Sequence, residues 1–237
     1  PQELIANARN AEADGARGIT VDLADLQPEF RNRASLQTVI EAVNLPFMFY
    51  AYRKNRNDGA DDEPRQEVLL AAAEAGAAMI DVMGDLYDPS PLEITRDPRA
   101  IDKQKRLIEQ IHAKGADVVI SSHTQCPMTT EQVLEHLRET GSRGADVVKI
   151  VTTADTADEL AEAFRTTMVL KRELGKPFIH LCGGTFSRPH RLLGLSLGVS
   201  IAFAVHGYDP RYGFGQPTIR DMKAVLDHMH WDINDLP

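Results

Sequence analysis

The run Ala145-Asp146-Val147-Val148-Lys149-Ile150-Val151 places one lysine inside an apolar stretch. Desolvation penalises an ammonium in such a run, so the lysine needs a partner or a depressed pKa. Two chemistries follow. In one, Asp22 or Asp81 reaches in from another strand end and forms an ion pair. In the other, the amine is held neutral and attacks a carbonyl to form a Schiff base. His123 closes the preceding apolar run, Val118-Val119-Ile120-Ser121-Ser122. Consecutive strands are usually neighbours, which makes His123 a candidate base beside a candidate nucleophile; the plainer reading is a hydrogen-bonded rim histidine.

Further polar groups fall where strands end. Arg53 closes the aromatic run Phe47 to Tyr52, with Asn57 and Asp58 in the charged loop behind it. Arg188 and Arg191 flank His190 downstream of Gly183-Gly184, and Gln216 sits in Gly213-Phe214-Gly215-Gln216-Pro217. A planar guanidinium grips a carboxylate bidentately, so an arginine at the site predicts an acidic substrate. Arg188 reads equally as a solvated surface residue. His180, Cys182, His190 and His206 have the residue types of a zinc site, but no pattern such as His-Glu-x-x-His accompanies them, and neither a metal nor a cofactor is expected.

Elements must position these groups. Apolar runs of strand length occur at Gly18–Leu23, Phe47–Tyr52, Ala78–Met83, Val118–Ser121, the lysine run, Pro177–Leu181 and Val199–Ala204. Helical patterns lie between them, from Glu3, Ser35, Pro64, Pro98, Thr130, Thr156 and Arg191, with a closing helix from Thr218 to Met229. Short αβ alternation with strands apolar on both faces predicts a parallel sheet covered by helices. Asp14-Gly15-Ala16, Lys114-Gly115-Ala116 and Arg143-Gly144-Ala145 repeat a helix-ending phrase. The expected fold is α/β, a (β/α)8 barrel forming one domain over residues 1–237, its first strand lying before Pro1. A doubly wound open sheet is the rival, but no Gly-x-Gly-x-x-Gly follows an early strand.

With a hydrophobic content of 43%, 237 residues suffice for such a core, while a net charge of -9 argues against nucleic acid as a partner. No stretch approaches the roughly 20 apolar residues of a membrane span, and there is no secretory signal pattern. Cys126 and Cys182 form no Cys-x-x-Cys pair, so a reducing, cytoplasmic setting is expected. The helix faces outside a barrel leave room for a homodimer.

The residues from Phe49 to Arg53, Ile120 to His123, Gly144 to Ile150, Arg191 to Gly194 and Phe203 to Gln216, in this order, resemble type I 3-dehydroquinate dehydratases. The resemblance implies a barrel lyase that dehydrates 3-dehydroquinate to 3-dehydroshikimate in the shikimate pathway. It implies that Lys149 forms the imine, His123 moves the proton, Arg191 holds the substrate carboxylate, Gln216 sits in a closing loop and Arg53 lies on the substrate side. Asp22 and Ala24 stand where the family has Glu-x-Arg, Asn57 where an acid orients the histidine, and Tyr212 where the closing loop has serine. The family's methionine-rich segment is replaced by Leu181-Cys182-Gly183-Gly184. These departures point to a related Schiff-base lyase acting on a modified cyclic keto acid as the alternative, or to a non-catalytic barrel that binds a small carboxylate or a protein.

Overall fold

The computed structural model describes residues 1–53, 62–209 and 215–235. Six parallel strands follow one another in chain order: β1 (Ile19–Asp22), β2 (Phe47–Tyr50), β3 (Met79–Met83), β4 (Asp117–His123), β5 (Val147–Thr153) and β6 (Phe178–Gly183). The helices are α1 (Gln2–Ala13), α2 (Arg33–Glu41), α3 (Asp62–Glu74), α4 (Pro98–His112), α5 (Thr130–Gly141), α6 (Ala157–Glu173), α7 (Ser187–Leu193) and α8 (Ile219–Met229). One helix separates each strand from the next among these six, the alternation of an incomplete (β/α)8 barrel. The chain divides into two compact units. The first is Pro1–Ser121 with Arg143–Asp146, the second Ser122–Ser142 with Val147–Pro237.

Within the first unit, β1 pairs with β2 from Ile19↔Phe47 to Asp22↔Tyr50, and β3 pairs with β4 from Met79↔Asp117 to Met83↔Ser121. Phe47, Met48 and Phe49 are consecutive and all buried, as expected of a strand covered on both faces. Helix α4 begins on Asp97, whose Oδ1 accepts from Ala100 N at 2.9 Å, and buries Ala100, Gln104, Leu107, Ile108 and Ile111 at helical spacing. Gly115, which follows it, and Gly144 take φ of 87° and 107°, so the repeated phrase does end helices in the left-handed region. Buried Arg143 donates to Gly84 O, Thr95 O and Gln104 Oε1 at 2.7–2.8 Å, holding the segment after β3.

Within the second unit, α5 and α6 each open on a capping box, Thr129 with Gln132 and Thr156 with Glu159. Strand β5 pairs with β6 from Val148↔Phe178 to Thr153↔Gly183. The apolar run Val199–Ala204 differs from expectation, because it forms no strand. Ser200 N still donates to Phe178 O at 2.9 Å, and Val205 bridges Thr218. The residues between, 201–204, are only half-buried, so they lack the two-sided cover that holds a parallel strand. Among the described residues no helix is long and apolar enough to cross a membrane.

The second unit also encloses a polar cluster. His180 on β6, His190 on α7 and Thr167 on α6 are all buried, and the two imidazoles meet edge to face at 4.9 Å between centroids. Burial holds His180 well below the usual imidazole range and pushes His190 down to about 4, with the Arg191 charge adding to the burial in His190. A histidine held neutral in the fold but protonated in the unfolded chain stabilises above its unfolded pKa and loses that stability as pH falls toward the folded value. His190 alone is expected to remove roughly 2–3 kcal/mol of stability as pH falls from about 7 toward its folded value. Urea unfolding across that range tests this: the His190→Gln variant should show a visibly flatter pH dependence, and an unchanged slope would contradict the assignment.

Candidate active site

Alternation along β5 decides which way the lysine faces. The register sets Lys149 against Ile179, Ile150 against His180 and Thr152 against Cys182. His180 reaches Thr167 on α6 (2.9 Å), so the Ile150, Thr152, His180, Cys182 side is the one covered by helices. Lys149 therefore projects from the other side. It is only 5% exposed, and its Nζ lies 5.0 Å from the centroid of the Phe203 ring, a cation–π contact. Phe203 belongs to the half-buried stretch that does not become a strand; its aromatic character was the sequence signal that could have marked it as a neighbour of the amine.

His123 ends β4. The preceding Ser122 Oγ meets His136 Nε2 of α5 at 2.8 Å, so Ser122 faces the helices and half-buried His123 faces away from them. Thr124 N donates to Val151 O at 3.0 Å, which continues the β4 end alongside β5. The imidazole and the amine thus share the helix-free side of the sheet. Both belong to the second unit, as do Arg191 and Gln216.

Arg191 is buried on α7, where Nε donates to Cys182 O at 2.6 Å and Nη1 to Gln216 Oε1 at 2.7 Å. Both acceptors are neutral. Among the described residues no carboxylate forms an ion pair with it, and burial pulls its pKa below the usual arginine value. Buried charges are ordinarily paired, so this guanidinium has the electrostatics of half an anion site. Gln216 is placed by that bond. Arg188, in contrast, is exposed and stacks over Tyr208, with Asp221 at 3.4 Å.

The groups expected from the first unit are placed differently. Arg53 is buried but already paired: Nη1 donates to Asp85 Oδ1 at 2.8 Å, and Nε and Nη2 engage Asp62. Burial works against its charge, but Asp62 and Asp85 outweigh it and raise the pKa. Arg53 thus has two carboxylate partners within the first unit. Asp22 Oδ1 accepts from Ala24 N at 2.8 Å and caps a short turn over Leu23–Asp25. Asp81 is almost fully buried and accepts from Tyr52 Oη and Ser121 Oγ, both at 2.5 Å, a network absent from the sequence reading. Burial first, then Asp81, pushes the Tyr52 phenol well above its usual range. Asn57 and Tyr212 lie outside the described residues. Of the four zinc candidates, His180, Cys182 and His190 come together, with ligand atoms within 4.8 Å of one another, whereas His206 is exposed and outside the group.

Residues 2–233 match the sequence profile of the family described as type I 3-dehydroquinase. The chain is 28% identical over 131 residues to a 3-dehydroquinate dehydratase of Alkaliphilus oremlandii, covering 54% of this chain and 51% of that protein. It is 29% identical over 224 residues to the chloroplastic bifunctional 3-dehydroquinate dehydratase/shikimate dehydrogenase of Arabidopsis thaliana, covering 93% of this chain and 34% of that protein. The matched region thus spans about half of the first relative and a third of the second. The crystal structure of 3-dehydroquinate dehydratase from Geobacillus kaustophilus superposes with a TM-score of 0.79 at 16% identity, over 95% of this chain and 85% of that one. The Clostridium difficile type I enzyme, solved with covalent modified comenic acid, gives 0.78 at 16% identity, over 97% and 88%. At that identity the structures establish a common fold. Profile, order of elements and architecture agree: the chain belongs to the type I 3-dehydroquinase family.

Proposed function

We propose that the chain is a Schiff-base lyase that removes water from 3-dehydroquinate to give 3-dehydroshikimate. The observation that supports this most is the buried Arg191 guanidinium, held by Cys182 O and Gln216 Oε1 and facing no carboxylate ion-pair partner among the described residues. A substrate carboxylate is the charge it lacks, and a charge-assisted pair in a dry site is strong and directional. Lys149, almost fully buried and on the helix-free side of β5, is the proposed nucleophile.

In the proposed reaction the neutral Lys149 amine adds to the substrate ketone, and loss of one water leaves an iminium. The iminium withdraws electrons from the adjacent carbon, so His123 can take a proton there. The neighbouring hydroxyl then leaves with the proton that His123 returns, and the carbon–carbon double bond forms. Hydrolysis of the imine consumes the first water and frees the amine. The net change is loss of one water from the substrate. The Phe203 ring beside Nζ favours a cation at that position, the iminium included.

A second reading, dehydration of a modified cyclic keto acid, is favoured by Asp22. Its carboxylate caps the local turn at Ala24 N, and Ala24 itself carries no polar group, so hydroxyl recognition from this strand differs from the Glu-x-Arg pattern of the family.

Borohydride added with 3-dehydroquinate is expected to fix a reduced adduct on the peptide carrying Lys149, read by mass spectrometry, and Lys149→Ala should abolish both adduct and turnover. Trapping with other cyclic keto acids but not with 3-dehydroquinate would favour the second reading, and near-normal turnover by Lys149→Ala would end the Schiff-base proposal. Arg191→Gln should raise KM roughly 10–100-fold with a smaller change in kcat, the loss of a charge-assisted bond made in both ground and transition states. Unchanged KM would place the carboxylate elsewhere.

A further inference from the structure

The helix-covered side of β6 carries chemistry that the lyase reaction does not use. Thr167 Oγ1 lies 3.0 Å from Ala163 O, 2.9 Å from His180 Nδ1 and 2.8 Å from His190 Nε2. A hydroxyl has one proton and two lone pairs. It donates to the carbonyl, so both imidazoles present an N–H to it, and the network thereby assigns both tautomers. Each ring keeps one lone pair turned away from Thr167. That of His180 Nε2 meets Thr152 Oγ1 at 3.3 Å, an oxygen also 3.8 Å from Cys182 Sγ. His190 Nδ1 is buried with no hydrogen-bond partner among the described residues. An acceptor so placed is costly unless something occupies it.

We propose that His180 Nε2, Cys182 Sγ and His190 Nδ1 form a binding site for a soft monovalent cation of the Cu(I) class. Ligand identity is compatible with this, because thiolate with imidazole suits Cu(I) as it does Zn(II). Charge selects the monovalent ion. On binding, the Cys182 thiol gives its proton to solvent and a sulfur–metal bond forms, so thiolate and Cu(I) together are neutral, with no change of oxidation state. A divalent ion with the same set leaves a positive charge in a buried site whose next neighbour is Arg191, bonded to Cys182 O at 2.6 Å, and the ligand set has no carboxylate to offset it. The three ligand atoms lie within 4.8 Å of one another, close enough to converge on one ion.

The two rings are braced, and a cavity lies beside His180. Thr167 fixes both rings, the role that outer-shell partners play at metal-binding histidines. His180 and Thr152 line a cavity of about 370 Å³, shared with Ala163, Thr166, Asp158 and Glu162, whose carboxylates favour passage of a cation. Burial keeps both histidines neutral, and the Cys182 thiol, pushed up to about 11 by burial, stays protonated until a metal displaces the proton.

The test is anaerobic titration of the Cys126→Ser protein with Cu(I) in competition with a colorimetric Cu(I) chelator, which removes the contribution of the other thiol. One equivalent per chain is expected. Adding Cys182→Ser should weaken binding at least 100-fold, and adding Thr167→Val about 10–100-fold. No equivalent retained against the chelator, or equal retention by the Cys182→Ser protein, would overturn the site. Zn(II) held as tightly as Cu(I) would overturn the charge argument.

Discussion

Placing the Arg191 guanidinium in the protein interior costs several kcal/mol, and among the described residues it meets two neutral acceptors and no carboxylate ion-pair partner. The neighbouring parts of the second unit are arranged around this. Helix α7 carries the arginine to the end of β6, the Cys182 carbonyl fixes Nε, and Gln216 reaches Nη1 from the segment that leads into α8. Arg53 shows the contrasting solution. Its charge is matched inside the first unit by Asp62 and Asp85, so it stabilises structure and has little left for a ligand. Arg53 and Arg191 differ in what surrounds them, and the proposed anion site rests on that difference.

A two-residue period partitions the remaining chemistry. On β5 and β6 the residues alternate between a helix-covered side, with Thr152, His180 and Cys182, and a helix-free side, with Lys149. Ser122 and His123 repeat the alternation at the end of β4. One sheet therefore presents an amine and an imidazole on one side and two buried imidazoles beside a thiol on the other. The two sets are separated by the thickness of the backbone, and each is served by residues of the same unit.

Much of this was legible in the sequence because it rests on local rules. The lysine strand, the serine-histidine end of β4, the helix starts at Pro98, Thr130 and Thr156 and the glycines at 115 and 144 are set by pattern and backbone chemistry, and they occur where those rules put them. What escaped depends on partners far along the chain. Val199–Ala204 has strand composition but residues 201–204 are half-buried, and no pattern within six residues reports that. The pairing of Arg53 with Asp85 joins residues 32 apart, and the cluster at Thr167 joins α6, β6 and α7. Spacing along the sequence made His206 as good a ligand candidate as His190; burial separates them. Asn57 and Tyr212 were singled out from the family resemblance and lie outside the described residues.

The central claim is that Arg191 awaits a carboxylate, and it is tested most directly by binding without turnover. In a Lys149→Ala background, calorimetry compares 3-dehydroquinate with its carboxamide, which keeps the ring and removes the charge. The carboxylate is expected to bind roughly 10–100-fold more tightly, and that advantage should vanish when Arg191→Gln is added. An advantage that survives the loss of Arg191 would contradict the account, because the anion would then be recognised by some other group.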